Sequence, residues 1–157
     1  MCLDSGALSR LTSRDHGPAY QAALGDKRIA ISFQVKPELL AFPMGDSRRD
    51  RLNILVAASL ELPHTEATNV WYARVAGKRA DLQKVHHDGG NAGDGDVWII
   101  SSALEHRLPF MSHDGPCVEL ARAMGLPVFT DLPDLSAGNP HDWPGDALSG
   151  SQPTPAE

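Results

Sequence analysis

Residues 1–130 alternate short apolar runs with stretches whose apolar residues recur at helical spacing, and that alternation leaves few architectures open. Residues 1–3 read as a strand closed by Asp4-Ser5-Gly6. Ala7, Leu8 and Leu11 follow at helical spacing, and Tyr20, Ala23 and Leu24 mark a second helix behind Gly17-Pro18. Residues 28–33 read as the next strand. Pro37 then suits the first turn of a helix that continues through Glu38-Leu39-Leu40. The spacing predicts an amphipathic helix over 49–60, through Leu52, Leu55, Val56 and Leu60. It predicts a partner helix over 65–79, capped by Thr65, with Val70, Trp71, Ala73 and Val75 on or near its buried side. The glycine-rich stretch 88–95 reads as a flexible connection. A helix over 97–104, a strand over 109–111, a helix over 117–124 and a last strand over 127–130 complete the pattern. Strands separated by helices pair in parallel through crossovers, so the expected fold is a doubly wound α/β structure. Ligands of such folds sit outside the carboxyl ends of the strands, near the point where strand order reverses.

The chain has 157 residues, enough for one domain with a core of its own and too few for a second. Its longest apolar run, 54–58, is far short of the ~20 residues that cross a bilayer, and a strand starting at residue 1 leaves no place for a signal peptide. Cys2 and Cys117 do not make a disulfide framework and are expected to be reduced thiols in a cytoplasmic protein. The net charge is −6, but it is unevenly spread. All 14 Lys and Arg lie before residue 131, with 15 of the 20 acids, so residues 1–130 are near neutral. The remaining acids, Asp131, Asp134, Asp142, Asp146 and Glu157, share the last 27 residues with five prolines and three glycines. The expected organisation is a folded domain over 1–130 and an acidic tail without stable structure over 131–157. Contact with nucleic acid then requires a local basic patch.

Four carboxylates occupy the positions to which the strand ends direct attention. Asp4 follows the first strand, Asp114 lies just past the 109–111 strand, Asp96 heads the helix over 97–104, and Glu38 lies one short turn beyond the second strand. Each has an ordinary role available as a helix cap or first-turn acid. Together at one sheet edge they require a proton or cation between them, and oxygen donors alone suit Mg²⁺ or Mn²⁺, which can promote phosphodiester hydrolysis.

Leu3-Asp4-Ser5-Gly6-Ala7-Leu8-Ser9 resembles the opening Leu-Asp-Thr-Asn-x-Leu of PIN-domain ribonucleases, particularly the toxins of VapBC-type toxin–antitoxin pairs. Ile31-Ser32-Phe33 with Glu38-Leu39-Leu40 is similar to their strand followed by x-Glu-Leu-Leu. Asp96-Val97-Trp98-Ile99-Ile100-Ser101-Ser102-Ala103-Leu104 resembles their Asp-x-Trp-Ile-Ala-x-x-Ala-Leu helix, and Phe110-Met111-Ser112-His113-Asp114 their hydrophobic pair before Thr-x-Asp. The resemblance implies a three-layer α/β/α PIN-like fold around a parallel sheet. It places Asp4, Glu38, Asp96 and Asp114 on the family's acidic quartet, with Asp4 and Asp96 as direct ligands of Mg²⁺ or Mn²⁺. Ser112 stands for the hydroxyl that steadies a carboxylate or a water there. The implied activity is hydrolysis of RNA within the strand, by a toxin that forms a homodimer and is restrained by a cognate antitoxin. The helices over 49–60 and 65–79 are the expected antitoxin groove. Three positions depart from the pattern: Gly6 stands where the family has Asn, Lys36 where an uncharged residue is usual, and Ile100 where Ala is usual. Gly6 and Lys36 motivate an alternative, a catalytically inactive PIN-like module that binds protein or RNA.

Other groupings rank lower. Counting from Asp94, a calcium loop needs an oxygen ligand and a glycine where Trp98 and Ile99 stand, though Asp94 is kept as an auxiliary acid. His86-His87-Asp88 lacks further zinc ligands, and no third residue orients His113 and Cys117 as a thiol nucleophile. The basic clusters are 10/14, 48/49/51 and 74/78/79, each an ordinary solvated helix face; Arg10 and Arg14, just beyond the helix that begins at the acidic site, are the RNA-binding candidates, without a firm choice among the clusters. Trp71-Tyr72 reads as packing or subunit contact.

Overall fold

A computed structural model describes residues 1–41 and 43–131. The elements, in chain order, are β1 (Cys2–Leu3), α1 (Ser5–Leu11), α2 (Gly17–Leu24), β2 (Ala30–Ser32), α3 (Val35–Ala41), α4 (Asp46–Ala58), β3 (Leu60–Leu62), α5 (Glu66–Lys84), a 3₁₀ turn (Asp88–Asn91), α6 (Asp94–Glu105), β4 (Phe110–Met111), α7 (Gly115–Ala123) and β5 (Val128–Phe129). The strands form one parallel sheet in the order β3-β2-β1-β4-β5. The α/β, PIN-like architecture implied by the sequence is the one observed. Among the described residues no helix is long and apolar enough to cross a membrane. The tail expected over 131–157 lies outside the described residues except for Asp131, and that residue is tied into the fold.

Every residue of β1, β2 and β4 is buried, as befits strands covered by helices on both faces, and in β2 this includes Ser32, whose hydroxyl shares a hydrogen bond with that of Ser102. Leu3, Ile31, Phe110, Met111, Ile99 and Ile100 are sealed in the core, so the isoleucine at position 100 is simply absorbed by packing. The helices pack in two sets: α2, α3 and α4 gather around α1, while α5, α6, α7 and the 3₁₀ turn pack on one another.

Three expectations need correction. The helix over 49–60 starts at Asp46 and stops at Ala58, because Ser59 is extended and Leu60-Glu61-Leu62 pairs with β2. Leu60 continues the helical stripe in sequence, yet it sits on an edge strand, 62% exposed, where its N–H bonds the Ile29 carbonyl at 2.9 Å. The helix capped by Thr65 runs on to Lys84, and its buried side is narrower than predicted: Val75 is buried, but Val70 and Ala73 are exposed. Residues 88–95 are not a flexible connection. They fold into the 3₁₀ turn and the start of α6, with Gly89 and Gly90 buried and packed against α5 and α7.

Candidate active site

Strand order reverses between β1 and β4, and the chain leaves both strands at the same edge. Asp4 follows β1 directly and its N–H bonds the Met111 carbonyl of β4 at 3.2 Å. Its backbone is extended (φ −76°, ψ 172°), so its side chain turns back over α1 and Oδ1 accepts from the Ala7 N–H at 2.5 Å. Asp114 does the same for α7, Oδ2 accepting from the Cys117 N–H at 3.1 Å. Asp96 lies in the first turn of α6, where its Oδ2 accepts from the Gly93 N–H at 2.8 Å. Glu38 is in the first turn of α3, and its Oε2 accepts from the Ser5 hydroxyl at 2.7 Å. The capping reading and the cluster reading are therefore both true. Asp4, Asp96 and Asp114 are fixed by bonds at their own helix starts and Glu38 by Ser5 of α1, and all four line one cleft of about 630 Å³.

Asp4 is 4% exposed, and burial pushes its carboxyl up to about 7, against the opposing hydrogen bonds of the Ser112 hydroxyl and the Ala7 N–H. The charges of Asp96 and Asp114 add to that rise. Asp96 is raised too, by burial first and then by Asp114 and Glu38, while a Gly93 N–H and the Cys117 thiol favour its ionised form. Ser112 is fully buried, and its hydroxyl bonds the Asp4 carboxyl. Among the described residues no Lys or Arg forms a salt bridge with Asp4, Glu38, Asp96 or Asp114, and these oxygen donors are a set suited to a hard divalent cation. As the side chains stand, however, no three His, Cys, Asp or Glu among the described residues form a metal shell.

Lys36 does not enter the cleft; its ammonium pairs with Glu61 at the sheet edge. Asp94 turns away to Arg79, at 2.7 Å. Cys117 is buried and its thiol held well above the ordinary range, which excludes a thiolate nucleophile. His87 accepts from the Gly89 N–H at 3.2 Å, a structural bond within the 3₁₀ turn. Tyr72 stacks on Trp98 at 3.9 Å, which is packing within the chain, and Trp71 carries the Arg74 guanidinium over its ring.

The two RNA-binding candidates part company. Arg10 lines a groove of about 390 Å³ that shares Ser5, Gly6 and His113 with the acidic cleft, and there it bonds Asp131 at 2.6 Å. Arg14 lines a different hollow, with Arg51 and Ile54. Arg48, from α4, reaches the Ser9 hydroxyl and joins Arg10 in the groove. The apolar hollow of about 170 Å³ on this side lies between α3 and α4, lined by Leu39, Leu40, Met44, Leu52 and Val56. The α5 helix expected to share it contributes nothing.

Sequence reasoning missed three roles, those of Ser5, Gly95 and His113. Ser5 holds Glu38 across 33 residues of sequence. Gly95 leaves room for it: a Cβ there would stand 2.2 Å from Glu38 Oε1. Gly6 likewise leaves room for the His113 ring, whose Cε1 lies 2.3 Å from where a Cβ would be. A glycine inside a helical first turn was the available signal in both cases.

No protein-family model matches the sequence, and no curated protein matches it. Solved structures do. The chain is similar to one in the crystal structure of VapBC2 from Rickettsia felis bound to a DNA fragment from their promoter, with a TM-score of 0.61 and 17% identity over 82% of this chain and 96% of that one. It is similar to VapBC-1 from nontypeable Haemophilus influenzae, with a TM-score of 0.60, 18% identity, and 82% and 96% coverage. FitAcB from Neisseria gonorrhoeae matches with a TM-score of 0.52, 17% identity, and 82% and 95% coverage. At these identities the likeness is one of fold.

Proposed function

We propose that this chain is a divalent-metal-dependent endoribonuclease, the toxin of a toxin–antitoxin pair acting in the cytoplasm. The observation that carries the reading is the cleft at the β1–β4 reversal, where Glu38, Asp96 and Asp114 gather with the buried Asp4, whose burial and neighbours resist its ionisation. The fold shared with VapBC and FitAB structures supports the biological role.

Asp4 and Asp96 are the residues that would hold Mg²⁺ or Mn²⁺, with Glu38 and Asp114 completing the set. When bound, such a cation supplies Lewis-acid activation of water and neutralises charge developing at phosphorus. The protein's own contribution is positional. Ser112 and the Ala7 N–H fix Asp4, Ser5 fixes Glu38, and the starts of α6 and α7 fix Asp96 and Asp114. Hydrolysis leaves a 5′-phosphate and a 3′-hydroxyl. The hollow between α3 and α4 offers the antitoxin an apolar seat, and a homodimer is the expected assembly of the free toxin.

Incubation of the purified chain with single-stranded RNA and Mn²⁺ is expected to give cleavage that Asp4→Asn and Asp96→Asn each abolish. Wild-type cleavage by either variant rejects the site. One observation favours a second reading, an inactive PIN-like module that binds protein or RNA: the carboxylates do not stand as a ready metal shell. Thermal melting separates the two. Saturating Mn²⁺, at about 100 times Kd, is expected to raise Tm by several degrees in the wild type and not in Asp4→Asn. An unchanged wild-type Tm supports the inactive module.

A further inference from the structure

His113 stands between two residues of the acidic cleft, Ser112 and Asp114, and its ring forms part of the wall between that cleft and the groove of Arg10 and Arg48. The ring lies so close over Gly6 that no side chain fits beneath it. Its Nδ1 is buried and has no hydrogen-bond partner among the described residues. A dry, unpartnered N–H is rarer in proteins than a dry lone pair, so Nε2 is the nitrogen assigned an N–H to meet a ligand.

Arg10 and Arg48 in the adjoining groove are already bonded to Asp131 and Ser9. Guanidinium groups therefore lie in the groove on one side of His113 and carboxylates in the cleft on the other. A phosphodiester strand passing from one to the other brings a non-bridging oxygen to the ring.

We propose that His113 is a substrate-contacting residue, its Nε2–H donating to a phosphate oxygen of the RNA linkage next to the one that is cut, and that Gly6 is glycine to admit the ring. This rests on the ribonuclease reading above and adds to it a specific handhold on the strand. The seat that an amide side chain would take at position 6 is filled from the other side of the cleft, by the residue before Asp114. The departure at Gly6 is then a rearrangement of donors rather than a loss of one.

The experiment measures RNA cleavage by the wild type, His113→Ala, His113→Gln, His113→Asn and Gly6→Ala, and RNA affinity by fluorescence anisotropy of the same changes in an Asp4→Asn background. One hydrogen bond to a charged oxygen corresponds to about tenfold. His113→Ala is expected to weaken binding and raise KM about that much, with the Mn²⁺-induced rise in Tm unchanged. His113→Gln, whose amide nitrogen reaches the Nε2 position, recovers a large part; His113→Asn, whose nitrogen falls at Nδ1, does not. Gly6→Ala displaces the ring and gives the same loss, with no further loss when combined with His113→Ala. A methylphosphonate at the adjacent linkage, which removes the charged oxygen, weakens the wild type and leaves His113→Ala unaffected. Cleavage that depends on Asp4 but is indifferent to His113→Ala overturns this inference and leaves the ribonuclease reading intact. Cleavage that is absent, or present without Asp4, overturns the ribonuclease reading, and the anisotropy measurements then decide the RNA contact by themselves.

Discussion

The buried carboxylate of Asp4 sets the energetic character of the site. Burial raises it to about 7, whereas in the unfolded chain it titrates near the ordinary value of about 4. Between those limits the folded protein holds a proton that the unfolded chain has released, so stability without metal falls as pH rises from about 4 to about 7, and levels off above. Asp96 contributes in the same direction. Asp4→Asn is therefore expected to raise the metal-free Tm at pH 8 and to flatten its fall between pH 5 and 7, while cleavage is lost. Melting curves across that range in chelator check it, and a wild-type Tm that climbs with pH over the window refutes it. At this scale much was legible. Asp4, Glu38, Asp96 and Asp114 could be named because each follows a strand or opens a helix. Ser5, Gly95 and His113 could not, because their roles come from neighbours far along the chain: Ser5 from Glu38, Gly95 from the same carboxylate, His113 from Gly6.

The first turn of α6 shows how an element, rather than a residue, aims the site. Asp96 bonds the Gly93 N–H and keeps the helix start in place, while the bare Cα of Gly95 lets Glu38 approach from α3. Gly95→Ala puts a methyl where Glu38 Oε1 lies, at a backbone conformation that alanine adopts without strain and with a better helix former. Tm is expected to hold or rise slightly while cleavage falls about 10–100-fold, the usual effect of disturbing a residue that orients a metal site. Parallel loss of stability and activity would instead mean that Gly95 serves packing alone. Elements were less legible than residues where their ends depend on distant partners. Leu52, Leu55, Val56 and Leu60 share a helical stripe, and only the pairing of Leu60 with the β2 edge ends the helix before it. Thr65 was legible because its cap is local, with the Thr68 N–H donating to its hydroxyl at 3.2 Å.

At the scale of the whole molecule, the alternation of strands and helices announced a parallel α/β sheet, but not the strand order that makes Asp4 and Asp114 neighbours. That order also brings the end of β5 back to the start of the fold. Asp131 accepts from the hydroxyl of the buried Tyr20 at 2.8 Å and from the Arg10 guanidinium at 2.6 Å, closing the chain over α1 and α2. Burial works to raise the Asp131 carboxyl, and the Tyr20 hydroxyl and Arg10 outweigh it, holding the group below the usual carboxylate range. The cost falls on the groove, because Arg10 is neutralised where a phosphate strand would pass. Asp131→Asn keeps an oxygen for Tyr20 and removes the carboxylate charge that neutralises Arg10. RNA affinity is expected to rise at low salt. The slope of log affinity against log salt is expected to steepen by about 0.7, the value of one added phosphate contact on a single strand. Anisotropy titrations across a salt series read both, with Arg10→Gln as the control in which Asp131→Asn has nothing left to release. An unchanged slope would mean that Arg10 serves the fold and that the strand is held by Arg48 and His113 without it.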